Sequence, residues 1–183
     1  MGKVIIGMTV SLDGFINDRD GGVSLLYPDL AALRLQTRLQ ETIRTTGAVV
    51  MGRHAFEMGD PDTYVDNYEF QTPIFVLTHH APERMPKQSD SLTFTFVIDG
   101  IKSAIEQAKV AAGDKNVVVV GGASTFQQCL SAGLYDELHI DVRHILLGEG
   151  LRLFDNLDDG PIELERVDMG ESPGLTHLIF GPR

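Results

Sequence analysis

Four consecutive valines, 117 to 120, run into Gly121 and Gly122 and then into Ala123-Ser124-Thr125-Phe126. This stretch constrains the fold more than any other. A run that is apolar on both faces suits a central strand of a parallel sheet covered on both sides. The two glycines end that strand, and a helix is expected to open directly behind them. A strand, a tight turn and a helix in that order are the building unit of an α/β domain.

The rest of the chain repeats the unit. Apolar and β-branched runs recur at 4–10, 48–51, 74–78, 92–98, 117–120, 137–142, 162–168 and 175–180, each bounded by turn residues. The last two are separated by Met169-Gly170-Glu171-Ser172-Pro173-Gly174 and read as an antiparallel hairpin at a sheet edge. Ile101, Ala104, Ile105, Ala108 and Ala112 recur at helical spacing, and Gly113 supplies the stop. Leu35, Leu39 and Ile43 mark a second helix, preceded by Pro28-Asp29, with Asp29 at or near its start. A third short helix is expected over 124–132, with Gly133 ending it. The loops at 14–27 and 59–72 do not read as linkers, so residues 1–183 are expected to form one domain.

Composition narrows the function. A hydrophobic fraction of 43% and a charged fraction of 22% suit an ordinary globular core. The net charge of −11 argues against nucleic-acid binding, though not against a small anion held by a local group of donors. The acidic excess falls largely in loops expected at 13–20, 57–69 and 155–171. The single Cys129 excludes an internal disulfide and a cysteine-based zinc site, and it falls among Phe126 and Leu130 as a core residue. The N-terminus enters a strand without a signal-peptide pattern, Ile6 disfavours lipidation of Gly2, and no apolar run spans a bilayer. A soluble cytoplasmic protein with no membrane contact is expected. Histidines 54, 79, 80, 139, 144 and 177 form no His-Glu-x-x-His pattern. The stretch 155–160 is only superficially like a calcium loop, because Leu157 and Arg166 take ligand positions, so no metal is expected.

The chemistry gathers at strand ends. Gly121 and Gly122 let the backbone approach a ligand, and the helix start behind them, with Ala123, Ser124 and Thr125, offers N–H groups and hydroxyls to a phosphate. The same residues also suit a plain tight turn. Gly52-Arg53-His54 ends the second strand with two donors able to hold a phosphate, or equally a solvated pair. Thr78, His79 and His80 end the third. Three such ends fit the rule that open α/β sheets bind ligands beyond the carboxyl ends of their strands. At the first strand, Ser11-Leu12-Asp13-Gly14-Phe15-Ile16 offers a turn and a loop able to cover a ligand. Asp29 suits a proton source at a cleft or a helix cap.

In this order, the segments resemble the dihydrofolate reductase superfamily, and within it the reductase domain at the C-terminus of bacterial riboflavin-biosynthesis deaminase-reductases. The resemblance covers nearly the whole chain. Its most specific part is the succession Gly121-Gly122, then Asp136-Glu137-Leu138, then Leu147-Gly148-Glu149-Gly150, then Phe154. Ser11-Leu12-Asp13-Gly14 belongs to the same branch, whereas Met51-Gly52-Arg53-His54 with Glu57 resembles the folate-reductase version of its loop. His144 departs from the proline usual there, and the deaminase half with its zinc motif is absent.

The resemblance implies a three-layer dihydrofolate-reductase-like fold and a homodimer. It implies an NADPH-dependent reductase delivering hydride to a carbonyl or imine of a pyrimidine or pterin-like heterocycle. The leading substrate class is the aminouracil reduced in riboflavin biosynthesis. Dihydrofolate reduction and a nucleotide-binding module without turnover are the alternatives, and a scaffold used only for interaction stands outside both. The implied NADPH contacts are Met8, Gly14, Phe15, Ile16, Gly52, Arg53, His54, Thr78, His79, Gly121, Gly122, Ala123, Ser124 and Thr125. The implied substrate contacts are Ser11, Asp13 and Asp29, with Asp29 or Asp13 as the proton donor.

Overall fold

The computed structural model describes residues 2–155, 157 and 160–183. Its elements follow in chain order as β1 (Val4–Ser11), α1 (Leu30–Arg34), α2 (Thr37–Thr45), β2 (Thr46–Gly52), α3 (Arg53–Phe56), α4 (Tyr64–Asn67) and β3 (Ile74–Leu77). They continue with β4 (Phe94–Val97), α5 (Ile101–Ala112), β5 (Asn116–Val119), α6 (Ala123–Ser131), β6 (Glu137–Arg143), β7 (Leu164–Ser172) and β8 (Leu175–Pro182). All eight strands join one sheet in the order β4-β3-β2-β5-β1-β6-β8-β7. The first six strands pair in parallel, while β8 runs antiparallel to β6 and β7 antiparallel to β8. The architecture is dihydrofolate-reductase-like, as the sequence implies.

The valine run sits where its pattern demands. β5 lies between β1 and β2, and Val117, Val118 and Val119 are all buried. Alternate residues feed two cores. Val117 and Val119 join Ile6, Val50, Ala104, Ile105, Phe126 and Cys129 beneath α5 and α6. On the opposite face Val49, Met51, Ile74, Val76, Phe56 and Phe94 form a second cluster, against which Leu39 and Ile43 of α2 pack. Cys129 is fully buried, and burial pushes its thiol up to about 12, so it is a core residue.

Three sequence expectations need correction. The helix marked by Leu35, Leu39 and Ile43 is two helices, because Gln36 adopts an extended backbone between them. Leu35, at the break, is 82% exposed, so it never belonged to the packed face. Gln40 Nε2 donates to the Arg34 carbonyl that the break leaves free. The connector at 169–174 is shorter than expected, since β7 continues through Ser172 and leaves a two-residue turn at Pro173-Gly174. The acidic stretch 155–171 is correspondingly mostly strand from Leu164 onward. Residues 156, 158 and 159 of that stretch, and of the calcium-like loop, lie outside the described residues.

Candidate functional site

The carboxyl ends of β2 and β5 are bound together. Gly52 N donates to Gly121 O at 2.6 Å, and a Cβ on Gly52 would lie 2.5 Å from Thr125 Oγ1 and 3.3 Å from Gly122 N. Gly121 has φ +131°, a conformation open to glycine, and a Cβ there would lie in ordinary contact with Met8 Cε at 3.5 Å. The Gly121–Gly122 peptide is cis. Behind it α6 starts with Gly122 as its cap and no side-chain hydrogen bond to the first turn. The leading N–H groups of this nine-residue helix are thus available to an anion. Thr125 and Ala123 are buried in the turn, while Ser124 is exposed and accepts from Gln128 Nε2 at 3.1 Å.

Beside this turn lies a cleft of about 200 Å³ lined by Arg53, Thr78, His80, Phe56 and Phe96, among others. The structure therefore brings Arg53 and Thr78 to one cleft. The imidazole lining the cleft is His80; His79 and His54 are exposed and not part of its wall. Thr78 Oγ1 donates to His80 O at 2.9 Å and accepts from His80 N at 3.3 Å, fixing the strand end. The cleft is not uniformly positive. Arg53 Nε pairs with Glu57 Oε1 at 2.8 Å, and Glu57 and Glu83 share the lining.

At the end of β1 the expected mobile cover is instead a pinned loop. Ser11 Oγ donates to Asp13 Oδ1 at 2.6 Å and accepts from Phe15 N at 2.9 Å. Leu147 N and Gly148 N donate to the two oxygens of Asp13 at 3.1 and 2.8 Å. Ile16 N donates to Leu151 O, and Leu153 N to Gly14 O. Arg152 lies 4.5 Å over the Phe15 ring. The Leu147-Gly148-Glu149-Gly150 motif thus receives the loop of β1. A Cβ on Gly150 would sit 2.0 Å from Asn17 O, so only glycine closes this contact.

In this structure both candidate proton donors have structural partners. The hydrogen bonds from Ser11, Gly148 and Leu147 hold the Asp13 carboxyl at about 2, so it stays ionised at neutral pH and clamps two loops. Asp29 is exposed and caps α1, its Oδ1 accepting from Ala32 N at 2.9 Å. Ser11, 1% exposed, spends its hydroxyl on the same clamp as Asp13.

A second set of functional groups escaped sequence reasoning. Strand β6 alternates Glu137, His139, Asp141 and Arg143 with Leu138, Ile140 and Val142. The apolar set faces the core under α5 and α6. The polar set faces the other way, and there Thr9 of β1, Asp141 of β6, His177 of β8 and Gly170 of β7 stand in one register row. His177 Nδ1 bonds Asp141 Oδ1 at 2.6 Å, and its Nε2 bonds Ser172 Oγ at 2.8 Å. Tyr27 borders the same row, and burial pushes its phenol up. Period-two charge on a strand with a covered apolar face was the available signal.

An open, mainly parallel sheet of this kind is an α/β architecture in which ligands bind beyond the carboxyl ends of the strands. The chain matches the model of the RibD C-terminal domain over residues 2–169 and belongs to that family. Uncharacterized protein YyaP of Bacillus subtilis is 25% identical over 97% of this chain and 94% of its own length. The fold is shared with a Shewanella sp. PV-4 protein provisionally assigned to riboflavin biosynthesis, at TM-score 0.79, 24% identity and 99% coverage of both chains. It is shared with the Thermotoga maritima diaminohydroxyphosphoribosylaminopyrimidine deaminase/5-amino-6-(5-phosphoribosylamino)uracil reductase, at TM-score 0.74 and 16% identity. All of this chain matches there, against 57% of the Thermotoga chain. Enterococcus faecalis dihydrofolate reductase, solved with NADP(H), follows at TM-score 0.62 and 18% identity, with 100% and 97% covered. Among the described residues no helix is long and apolar enough to cross a membrane.

Proposed function

We propose that this chain is an NADPH-dependent reductase that delivers hydride to a carbonyl or imine carbon of a pyrimidine or pterin-like heterocycle. The observation that carries the reading is the joined end of β2 and β5, where Gly52, Gly121 and Gly122 clear backbone space before the uncapped start of α6. A diphosphate fits that donor set, and Arg53 with Thr78 and His80 borders the adjoining cleft, where a 2′-phosphate would be read. When bound, NADPH supplies the hydride, and the protein's task is to hold the acceptor carbon against it. Met8, packed toward Gly121, and the pinned loop of Gly14, Phe15 and Ile16 would flank the nicotinamide end.

Membership of the RibD C-terminal family makes the aminouracil of riboflavin biosynthesis the leading substrate class, with dihydrofolate second. The test measures NADPH consumption with 5-amino-6-(5-phosphoribosylamino)uracil and with dihydrofolate side by side. A thermal-shift comparison of NADPH with NADH accompanies it. Stabilisation by NADPH beyond that by NADH, with turnover of one heterocycle, supports the reading; no shift with either nucleotide sinks it.

A further inference from the structure

We propose that Asp141 is the substrate-facing acid of this site, and that His177 and Ser172 form the relay returning protons to it; the proposal rests on the reductase reading above. Position is the first argument. Ile6 stands opposite Val119 in the β1–β5 ladder, so Thr9, three residues on, is level with the Gly121–Gly122 turn. Asp141 stands opposite Thr9 on the next strand. With strands about 4.8 Å apart, the carboxylate is some ~10 Å across the sheet from the strand bearing the glycine turn. It is thus level with the glycine turn, past the carboxyl end of β5 and two residues short of the end of β1.

The second argument is the burial of His177 between two more open groups. The His177 side chain is 5% exposed and bonded at both ring nitrogens, whereas the Asp141 side chain keeps 36% of its surface open. Ser172 is half-buried beside the hairpin turn, at the other end of the chain of groups. The same order of groups activates serine nucleophiles in other settings. Here the carboxylate is the end that shares a register row with Thr9, so protons run from Ser172 toward Asp141. The two aspartates marked by sequence are engaged elsewhere in this structure, Asp13 in a clamp between two loops and Asp29 as the cap of α1.

The chemistry balances. Hydride forms the new C–H bond at the acceptor carbon, and the π electrons of the C=N or C=O bond move to nitrogen or oxygen. The Asp141 carboxyl gives its proton to that atom. The His177 Nδ1 proton reloads the carboxylate, and Nε2 recovers one through the Ser172 hydroxyl from water. One NADPH and one proton are consumed for each bond reduced. The titratable and charged groups around Asp141 are His177 from β8, Tyr27 from the loop before α1, Arg38 of α2, which lies over Gly170 and pairs with Asp168 of β7 at 3.0 Å, and His139 and Arg143 on β6.

The test compares the parent with Asp141→Asn, Asp141→Glu, His177→Gln and Ser172→Ala, each first checked for an unchanged far-ultraviolet spectrum and melting transition. In Asp141→Asn and His177→Gln, kcat/KM with the reducible heterocycle is expected to fall about 100-fold or more, and the pH dependence of kcat to flatten. Asp141→Glu restores part of the loss. Ser172→Ala loses less than His177→Gln, because a water can take the place of the hydroxyl. NADPH affinity, read by fluorescence titration, stays at the parent value. Heterocycle binding to the cofactor-free protein, read by calorimetry, weakens about 10-fold in Asp141→Asn. An Asp141→Asn protein with the parent pH profile and heterocycle affinity overturns the proposal while leaving the reductase reading intact. A parent protein that consumes no NADPH with either heterocycle overturns both.

Discussion

The Gly52 amide donates to the Gly121 carbonyl at 2.6 Å, and this one bond ties the ends of β2 and β5 at the place where two helices, α3 and α6, begin. The contact leaves no room for a side chain at Gly52. Gly52 has an ordinary extended backbone, φ −80° and ψ 160°, so space alone excludes a larger residue there.

Replacing Gly52 by alanine puts a methyl 2.5 Å from Thr125 Oγ1, and Thr125 is 3% exposed and unable to swing away. Overpacking of this kind costs about 1–3 kcal/mol. Urea denaturation of Gly52→Ala is expected to show a loss in that range, and the NADPH-dependent thermal shift to shrink with it. The double variant Gly52→Ala/Thr125→Ala should recover part of the loss, since the clashing oxygen is gone. Additive losses in the double variant would place the strain elsewhere.

Arg53 is exposed, its partner Glu57 likewise, so their ion pair contributes little to stability. In Arg53→Ala the midpoint of urea denaturation should hardly move. Its role toward the cofactor is different, because a guanidinium on a phosphate makes charge-assisted hydrogen bonds of about 1.5–3 kcal/mol. NADPH binding is expected to weaken by roughly 10- to 100-fold on that basis, and NADH binding much less. Equal losses for the two nucleotides would remove Arg53 from the 2′-phosphate.

Much of this fold is readable from sequence because its elements are local in cause. The valine run, the β6 alternation and the glycine stops at Gly113 and Gly133 each state their structure within a few residues. The site is less readable because its contacts are long-range. Asp13 looks like a free turn carboxylate until Leu147 and Gly148, more than 130 positions away, donate to it. Asp141, His177 and Ser172 lie on three strands and meet only through register. His79 and His80 are indistinguishable as letters, and the geometry of the strand end decides that His80 enters the cleft.

The Asp13 clamp predicts a pH dependence. Its carboxyl is held at about 2 in the folded protein, below an ordinary value of about 3.9 in the unfolded chain. The unfolded state therefore binds the proton first. The resulting stabilisation is complete above about pH 5 and declines as pH falls from the unfolded value toward the folded one. In Asp13→Asn this contribution is absent, so the gap in stability between parent and variant should be widest near neutrality and close between about pH 4 and pH 2. Urea denaturation at a series of pH values checks it, and a gap that widens on acidification would contradict the clamp.

Asp29 separates two roles that one residue type can fill. As the cap of α1 it accepts from Ala32 N at 2.9 Å, a task that serine performs as well. As a proton donor it would need its carboxyl. Asp29→Ala is expected to cost about 0.5–2 kcal/mol of stability, and Asp29→Ser to recover most of that. Turnover of the reducible heterocycle should be nearly equal in the parent and in Asp29→Ser, because the helix start is preserved and no proton is taken from it. A general acid contributes about 100-fold or more, so a fall of that size in Asp29→Ser, with stability retained, would return the proton to Asp29 and take it from Asp141.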